Sequence, residues 1–354
     1  MKLLFVITGI GLGHSLREKA IIDEIKKDYP ETQIYIAGYG LSLNYFKKRY
    51  QTTEIKGHKF KGNTFRQNKI KTLLQNYSYP FNYMLDLLTL VRLIKRFNPD
   101  KVIVDMQPVG VKAANLAGKE AVSIYNLDVE KLKNVHDMHS KTFIGIIRKA
   151  YDKSGKVIIP TLTQQRSKRS NIYYINPIIR TNPDELASKQ ILMKKLRLKK
   201  EPILVTIGGS KFGISLIKDI IKIAEKFDEN FIIFGMDYKS KNVTGYKFKN
   251  NFLEYLKVSK AVISTAGHNT LSELLVFKKP ALIFPIFNYL EQHQNASMLK
   301  AANAAIVSNF TDDIERLELL IKKLLKEKDK IITNLNRLDV KGTGAKEAVD
   351  IIFD

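Results

Sequence analysis

Short runs of β-branched and other apolar residues alternate along this chain with longer stretches whose apolar residues recur at helical spacing. In the first half the strand-like runs are Leu3 to Thr8, Gln33 to Gly38, Lys101 to Asp105, Glu120 to Tyr125 and Lys156 to Ile159. In the second half they are Pro202 to Ile207, Asn230 to Gly235, Lys260 to Ser264, Pro280 to Phe284 and Ala304 to Val307. This alternation predicts doubly wound parallel sheets rather than a sandwich or a bundle, and its recurrence in both halves predicts two Rossmann-like α/β domains. An extended stretch from Asn176 to Pro183 carries two prolines and reads as the linker. The expected domains are therefore 1–178 and 179–340, followed by a last helix at 341–354. Ala348, Val349, Ile351 and Ile352 give that helix an apolar face with which to pack back on the first domain.

One helical stretch changes the picture. Between Phe81 and Phe97 the residues Phe81, Met84, Leu85, Leu87, Leu88, Val91 and Ile94 follow helical spacing, and burial in the core is the default expectation for such a stripe. Just upstream, from Lys47 to Lys71, nine lysines and arginines accompany a single acid, Glu54. A basic, aromatic-bearing segment beside an amphipathic helix also suits docking on an anionic membrane surface. The formal net charge of +24 points the same way, towards a polyanionic neighbour, although lysines spread over a solvated surface would give the same number. The complete absence of cysteine excludes a disulfide framework, thiolate zinc and a cysteine nucleophile. The first residues read as a buried strand rather than a signal peptide, and no apolar run reaches the ~18 residues of a membrane-spanning helix, so a cytoplasmic protein is expected, peripheral at most on the inner face of the membrane.

Candidate chemistry concentrates in three glycine loops. The first, Thr8 to His14, lies between a strand and a helix and includes Gly9, Gly11 and Gly13. Glycines there let a ligand approach the backbone, while the helix start offers amides and a positive dipole end to an anion. His14 stands where a dinucleotide fingerprint needs its third glycine, and the second strand ends in Ala37, Gly38 and Tyr39 rather than an acid, which argues against a nicotinamide enzyme. A second loop, Gly208, Gly209 and Ser210, suits a diphosphate. The third is the richest: Ser264 to Glu273, then Pro280 to Pro285, then Glu291 to Ala296. There Glu273 has two readings, as a ribose-binding carboxylate and as the end of a capping box begun by Thr270.

That third block resembles the nucleotide-binding signature of GT-B glycosyltransferases, in particular the C-terminal domain shared by peptidoglycan lipid N-acetylglucosaminyltransferases and diacylglycerol sugar transferases. Ser264, Gly267, Thr270, Glu273, Pro285, Gln292, Asn295 and Ala296 follow that signature in order and spacing. The resemblance implies two Rossmann-like domains facing each other across a cleft, the first for the acceptor and the second for a nucleotide-sugar, which is UDP-linked and serves as co-substrate with no separate cofactor. It implies that Glu273 holds ribose and that Ala266, Gly267, His268, Asn269 and Thr270 surround the diphosphate, with Gly11, Gly13, Gly209 and Ser210 contributing from the other loops. Glu291 and Gln292 would reach the donor sugar, although His293 departs from the pattern of the peptidoglycan enzymes. A lipid or membrane-associated acceptor follows from the same likeness.

An inverting transfer needs a base on the acceptor hydroxyl and stabilisation of the departing diphosphate. His14, at the top of the first strand, and Asp105, at the end of a later one, are the candidates for the first task. With no Asp-x-Asp motif in the chain, helix N-termini, Ser210, Thr270 and His268 are expected to supply the second task without a metal. The cluster His136, Asp137, Met138 and His139 gives only a weak metal signal. A nucleotide-sugar 2-epimerase of the same fold is the rival enzyme. A basic nucleic-acid-binding protein is the rival from another class, disfavoured because no RNA-binding motif interleaves the basic residues with aromatics.

Overall fold

The chain's secondary structure is seen in a computed structural model that describes residues 1–57, 62–63, 66–67, 79–130, 132, 138–163, 165, 167–207, 213–287, 289–310 and 313–354. Two compact units emerge: an N-terminal unit of Met1–Phe60, Ile70–Arg180 and Thr343–Asp354, and a C-terminal unit of Lys61–Lys69 and Thr181–Gly342.

The N-terminal unit runs β1 (Lys2–Ile7), α1 (Leu12–Asp28), β2 (Gln33–Gly38), α2 (Gly40–Phe46) and β3 (Gln51–Glu54). After the two-stranded ribbon β4 (Gly62–Asn63) with β5 (Arg66–Gln67), which groups with the C-terminal unit, it continues as α3 (Tyr79–Phe97), β6 (Lys101–Asp105), α4 (Pro108–Leu116), β7 (Glu120–Ile124), α5 (Met138–Lys153), β8 (Lys156–Pro160) and β9 (Ile172–Ile175). Its sheet has the order β3-β2-β1-β6-β7-β8-β9, with every pairing parallel. Leu3 to Ile7 are fully buried, as expected of a central parallel strand covered by helices on both faces. Because β1 pairs with β2 on one side and β6 on the other, the strand order reverses between β1 and β6, which is where open α/β sheets hold their ligands. The register Ile7 opposite Asp105 brings the first glycine loop and Asp105 to the same edge of the sheet.

In the C-terminal unit follow α6 (Lys189–Lys195), β10 (Ile203–Thr206), α7 (Ile214–Ala224), β11 (Phe231–Phe234), β12 (Tyr238–Lys239), β13 (Val243–Tyr246), α8 (Phe252–Val258), β14 (Ala261–Thr265), α9 (His268–Val276), β15 (Ala281–Phe284), α10 (Leu290–Ala301), β16 (Ile306–Val307) and α11 (Ile314–Arg337). The sheet order is β12-β13-β11-β10-β14-β15-β16, parallel except for the edge pair β12 and β13. Here the order reverses between β10 and β14. Each half is thus a Rossmann-like α/β unit, as the alternation of apolar runs predicts.

The last helix, α12 (Gly344–Phe353), belongs to the N-terminal unit. Ala348, Val349 and Ile352 are fully buried in one cluster with Ile21, Ile22 and Ile25 of α1. The ring of Phe353 stacks on Tyr29 at 3.8 Å. Glu347 accepts hydrogen bonds from the backbone N–H of Asn176 at 3.0 Å and from its side-chain amide at 2.8 Å. Lys101 and Lys156 donate to the carbonyls of Ile352 and Ile351, satisfying groups that a helix C-terminus leaves open.

The stripe on α3 is divided rather than wholly buried. Leu87, Leu90, Leu93 and Ile94 face the core, whereas Phe81 is 67% exposed, Met84 52% and Leu88 46%. Helical spacing alone does not say how wide a face the neighbours cover. Here α3 lies against α4 along one side, which leaves Phe81, Met84 and Leu88, at positions i, i+3 and i+7, on the outside.

Candidate active site

Gly9 and Gly11 serve different needs in the first loop. A Cβ on Gly9 would stand 2.0 Å from the carbonyl oxygen of Tyr39, so glycine is required there by the close approach of β2. The Tyr39 hydroxyl lies within hydrogen-bond distance of Thr8 Oγ1 at 2.9 Å and accepts from Gln107 Nε2 at 3.1 Å, tying the ends of β1, β2 and β6 together. Gly11 has φ 77° and is the N-cap of α1, and a Cβ there would meet nothing within 4 Å. Open space therefore lies in front of a helix start that no side chain caps. Gly13 and His14 occupy the first turn of that helix.

The sheet turns sharply on the other side of the switch point. Asp105 ends β6, Met106 follows in the left-handed region at φ 51°, and Gln107 is the N-cap of α4 with Pro108 behind it. Asp105 Oδ1 lies 2.9 Å from His14 Nδ1 and also accepts from Arg17 Nη2. Arg17 Nη2 is 3.1 Å from the same imidazole nitrogen. An ionised carboxylate can only accept, so the contact with Oδ1 assigns a proton to His14 Nδ1, and the two nitrogens share Oδ1 as their acceptor. That assignment leaves the Nε2 lone pair as the basic site of the ring. Arg17 Nε is 3.6 Å from Glu18 Oε1, and Arg17, Glu18 and Asp105 are all at most 2% exposed.

Burial and the neighbouring Asp105 charge push the Glu18 carboxyl well above the usual carboxylate range. Burial would also raise Asp105, but the Arg17 guanidinium and His14 outweigh it, and hydrogen bonds from His14 and Glu18 add to the same effect. Asp105 is held below its ordinary range and ionised. Sequence reasoning singled out His14 and Asp105 but missed Arg17 and Glu18. The signal was present: positions 17, 18, 21, 22 and 25 form one face of α1, and two of its five members are charged.

In the C-terminal unit the corresponding turn runs from β14 through Ala266 and Gly267 into α9. Gly267 is the N-cap, with no side-chain cap, and a Cβ on it would again meet nothing within 4 Å. Thr270 lies inside the helix rather than at its cap, so the capping-box reading of Thr270 and Glu273 does not hold. His268 and Glu273 are each 5% exposed, and His268 Nδ1 stands 3.4 Å from Ser272 Oγ one turn on. Asn269 and Thr270 are half-buried at the same helix start.

Helix α10 braces this turn. Gln292 Oε1 accepts the backbone N–H of Ala266 at 3.2 Å and that of Ile286 at 3.0 Å, while Asn295 Nδ2 donates to the carbonyl of Ala266 at 3.1 Å. Gln292 is 7% exposed, so what it offers a ligand is its amide nitrogen. Glu291 sits half-buried in the first turn of α10, where a carboxylate suits the helix dipole. Gly209, Ser210, His136 and Asp137 lie outside the described residues. Among the described residues no group of three or more His, Asp and Glu side chains could hold a metal ion.

Comparison with known proteins places this architecture. The sequence profile of glycosyl transferase family 1 matches residues 1–325. An uncharacterized glycosyltransferase of Methanopyrus kandleri is 26% identical over 223 residues, a stretch covering 58% of this chain and 62% of that one. The UDP-N-acetylglucosamine--N-acetylmuramyl-(pentapeptide) pyrophosphoryl-undecaprenol N-acetylglucosamine transferase of Christiangramia forsetii is 27% identical, with 93% of this chain and 89% of that protein covered. Among solved structures, spinosyn rhamnosyltransferase SpnG complexed with thymidine diphosphate superposes with a TM-score of 0.71 at 14% identity, all of both chains being covered. No described helix is long and apolar enough to cross a membrane. With two Rossmann-like units and a family profile that spans almost its whole length, the chain belongs to glycosyl transferase family 1 and is a glycosyltransferase of the GT-B type.

Proposed function

We propose that this glycosyltransferase moves a hexose or N-acetylhexosamine from a UDP-linked donor to a lipid or cell-envelope acceptor, inverting the anomeric centre and using no metal. The observation that carries the reading is the contact of His14 Nδ1 with Asp105 Oδ1 at the switch point of the N-terminal sheet. His14 Nε2 takes the proton of the acceptor hydroxyl as its oxygen attacks the anomeric carbon. The new C–O bond forms as the bond from that carbon to the diphosphate oxygen breaks, and the bonding pair leaves with the nucleoside diphosphate. Attack opposite the leaving group inverts the centre.

In the C-terminal unit the backbone amides at the start of α9, from Ala266 to Thr270, receive the diphosphate, with Gly209 and Ser210 as further partners. The dipole at that end of the helix stabilises the charge that develops on departure. Glu273 holds the ribose hydroxyls, and Glu291 with the amide nitrogen of Gln292 reaches the donor sugar. Gly11 and Gly13 keep the first loop open to the ligand. The uridine donor and lipid acceptor are supported by the likeness to the Christiangramia forsetii transferase, whose name gives UDP-N-acetylglucosamine as donor and a pyrophosphoryl-undecaprenol as acceptor. An anionic inner membrane surface is supported by the exposed Phe81, Met84 and Leu88, with Arg92, Lys95 and Arg96 further along the same helix. No role in nucleic-acid recognition is assigned.

Thermal shift with UDP, thymidine diphosphate and UDP-N-acetylglucosamine tests donor binding, because a ligand of the folded state raises the melting temperature in step with its occupancy. UDP is expected to stabilise the wild type and to lose that effect in Glu273→Gln. Release of UDP from UDP-N-acetylglucosamine, with and without a detergent-solubilised polyprenyl-diphosphate acceptor, tests the base. His14→Gln should bind UDP normally and turn over about 10²–10⁴-fold more slowly. Wild-type turnover by that variant would remove His14 from the chemistry, and rapid donor consumption without acceptor would favour an epimerase.

A further inference from the structure

Behind the His14–Asp105 pair lie two charged side chains that the transfer reaction itself does not use. Arg17 and Glu18 follow His14 on α1, and both are buried. Arg17 Nη2 reaches Asp105 Oδ1 and lies 3.1 Å from His14 Nδ1, and Arg17 Nε stands 3.6 Å from Glu18. Burying such groups is costly unless their charges balance. With Glu18 ionised, two carboxylates would face one guanidinium, and the excess negative charge would draw a proton onto the imidazole. With Glu18 neutral, Arg17 and Asp105 cancel, and His14 can stay uncharged, as a base must.

We infer that Arg17 and a protonated Glu18 are positioning residues, which together keep Asp105 ionised and His14 neutral and poised to accept a proton. A proton on Glu18 gives a donor to this buried group of carboxylate oxygens, of which Glu18 Oε1, Glu18 Oε2 and Asp105 Oδ2 otherwise have no hydrogen-bond partner among the described residues, and Arg17 supplies the fixed positive charge that Asp105 would otherwise obtain by protonating His14. Among the described residues the titratable groups around the imidazole are few. They are Arg17 and Glu18 from α1, Asp105 from β6, the buried phenol of Tyr125 just beyond β7, and Tyr83 from α3, close to that phenol. Burial first, and the Asp105 charge second, hold the Tyr125 hydroxyl above its ordinary range, so it stays neutral and leaves the balance to the other three.

This inference rests on His14 being the base, but it is tested without turnover. In the full chain labelled with ¹³Cε1-histidine, the His14 resonance among six histidines is assigned by its loss in His14→Gln and followed against pH. Arg17→Met should move the His14 midpoint upward by at least about one pH unit, because a like charge within a few ångströms has been removed. Arg17→Lys, which keeps the charge, should restore it most of the way. Glu18→Gln, isosteric with a neutral carboxyl, should leave the midpoint close to wild type. An unmoved or lowered midpoint in Arg17→Met overturns the role of Arg17, and a midpoint lowered by about one unit in Glu18→Gln shows an ionised Glu18 and overturns the charge balance. Should Arg17→Met fail to fold, Arg17→Gln, which also removes the charge, is titrated in its place under the same criterion, and Glu18→Gln decides the charge balance independently. A wild-type turnover rate in His14→Gln would instead refute His14 as base while leaving the titrations intact.

Discussion

Replacing Gln292 with alanine separates two jobs for one side chain. Its carbonyl oxygen is the acceptor for two backbone N–H groups, those of Ala266 and Ile286, on the loops that follow β14 and β15. Deleting it leaves two donors at a site where Gln292 is 7% exposed and Ala266 fully buried. Each unsatisfied buried donor costs about 1–3 kcal/mol, and partial entry of water recovers some of that, so the C-terminal unit should lose about 2–4 kcal/mol. Urea denaturation followed by circular dichroism reads the loss, and hydrogen exchange should show faster exchange at the amides of Ala266 and Ile286 than in the wild type. Because Ala266 leads into the start of α9, affinity for UDP should fall, and affinity for UDP-N-acetylglucosamine should fall further through the lost sugar contact. If Gln292→Ala unfolds like the wild type and weakens only the sugar nucleotide, the side chain is a sugar contact and its bracing role is refuted.

Two more substitutions test the remaining logic. Gly9→Ala should prevent the N-terminal unit from folding normally, since its methyl would meet the Tyr39 carbonyl oxygen at 2.0 Å, whereas Gly11→Ala, at φ 77° and ψ 163°, should fold with a backbone penalty of about 1–3 kcal/mol and mainly weaken activity, a contrast that thermal melts with turnover assays resolve. Lys279 donates to the carbonyls of Lys257 and Ser259 at 2.7 and 2.8 Å, and burial lowers it from 10.5 to about 8. Between those values the unfolded chain binds more protons than the folded one, so the C-terminal unit should gain stability as pH rises from about 8 to 10.5, by up to about 1.4 kcal/mol per unit, and Lys279→Met should abolish that slope in denaturation curves taken across the range.

The legible parts of the fold were those whose burial is written as unbroken apolarity. All ten expected strands occur, because strands covered on both faces, such as β1, are nearly unbroken runs of apolar residues. The strands that escaped notice lie at or near sheet edges. Gln51–Glu54 is polar along its length, and Val243–Tyr246 alternates weakly around a glycine. At the candidate site, His14 and Asp105 were visible from their places after strands, since the ends of β1 and β6 meet wherever such a sheet switches direction. Their contact, the buried Arg17 and Glu18 behind it and the bracing by Gln292 depend on side-chain directions that no spacing rule supplies. The capping box failed for a related reason: Thr270-x-x-Glu273 has the right letters, but the chain enters the helix three residues earlier, at Gly267.

The docking of α12 on α1 has a consequence for synthesis. Ile21, Ile22 and Ile25 leave the ribosome early, yet Ala348, Val349 and Ile352, which complete their cluster, emerge only after residues 181–342 have been made. At ordinary translation speeds that interval is on the order of ten seconds. Throughout it the nascent first unit lacks the three residues that complete the cover over Ile21, Ile22 and Ile25, while the second unit is being made. The half translated first is therefore the half finished last.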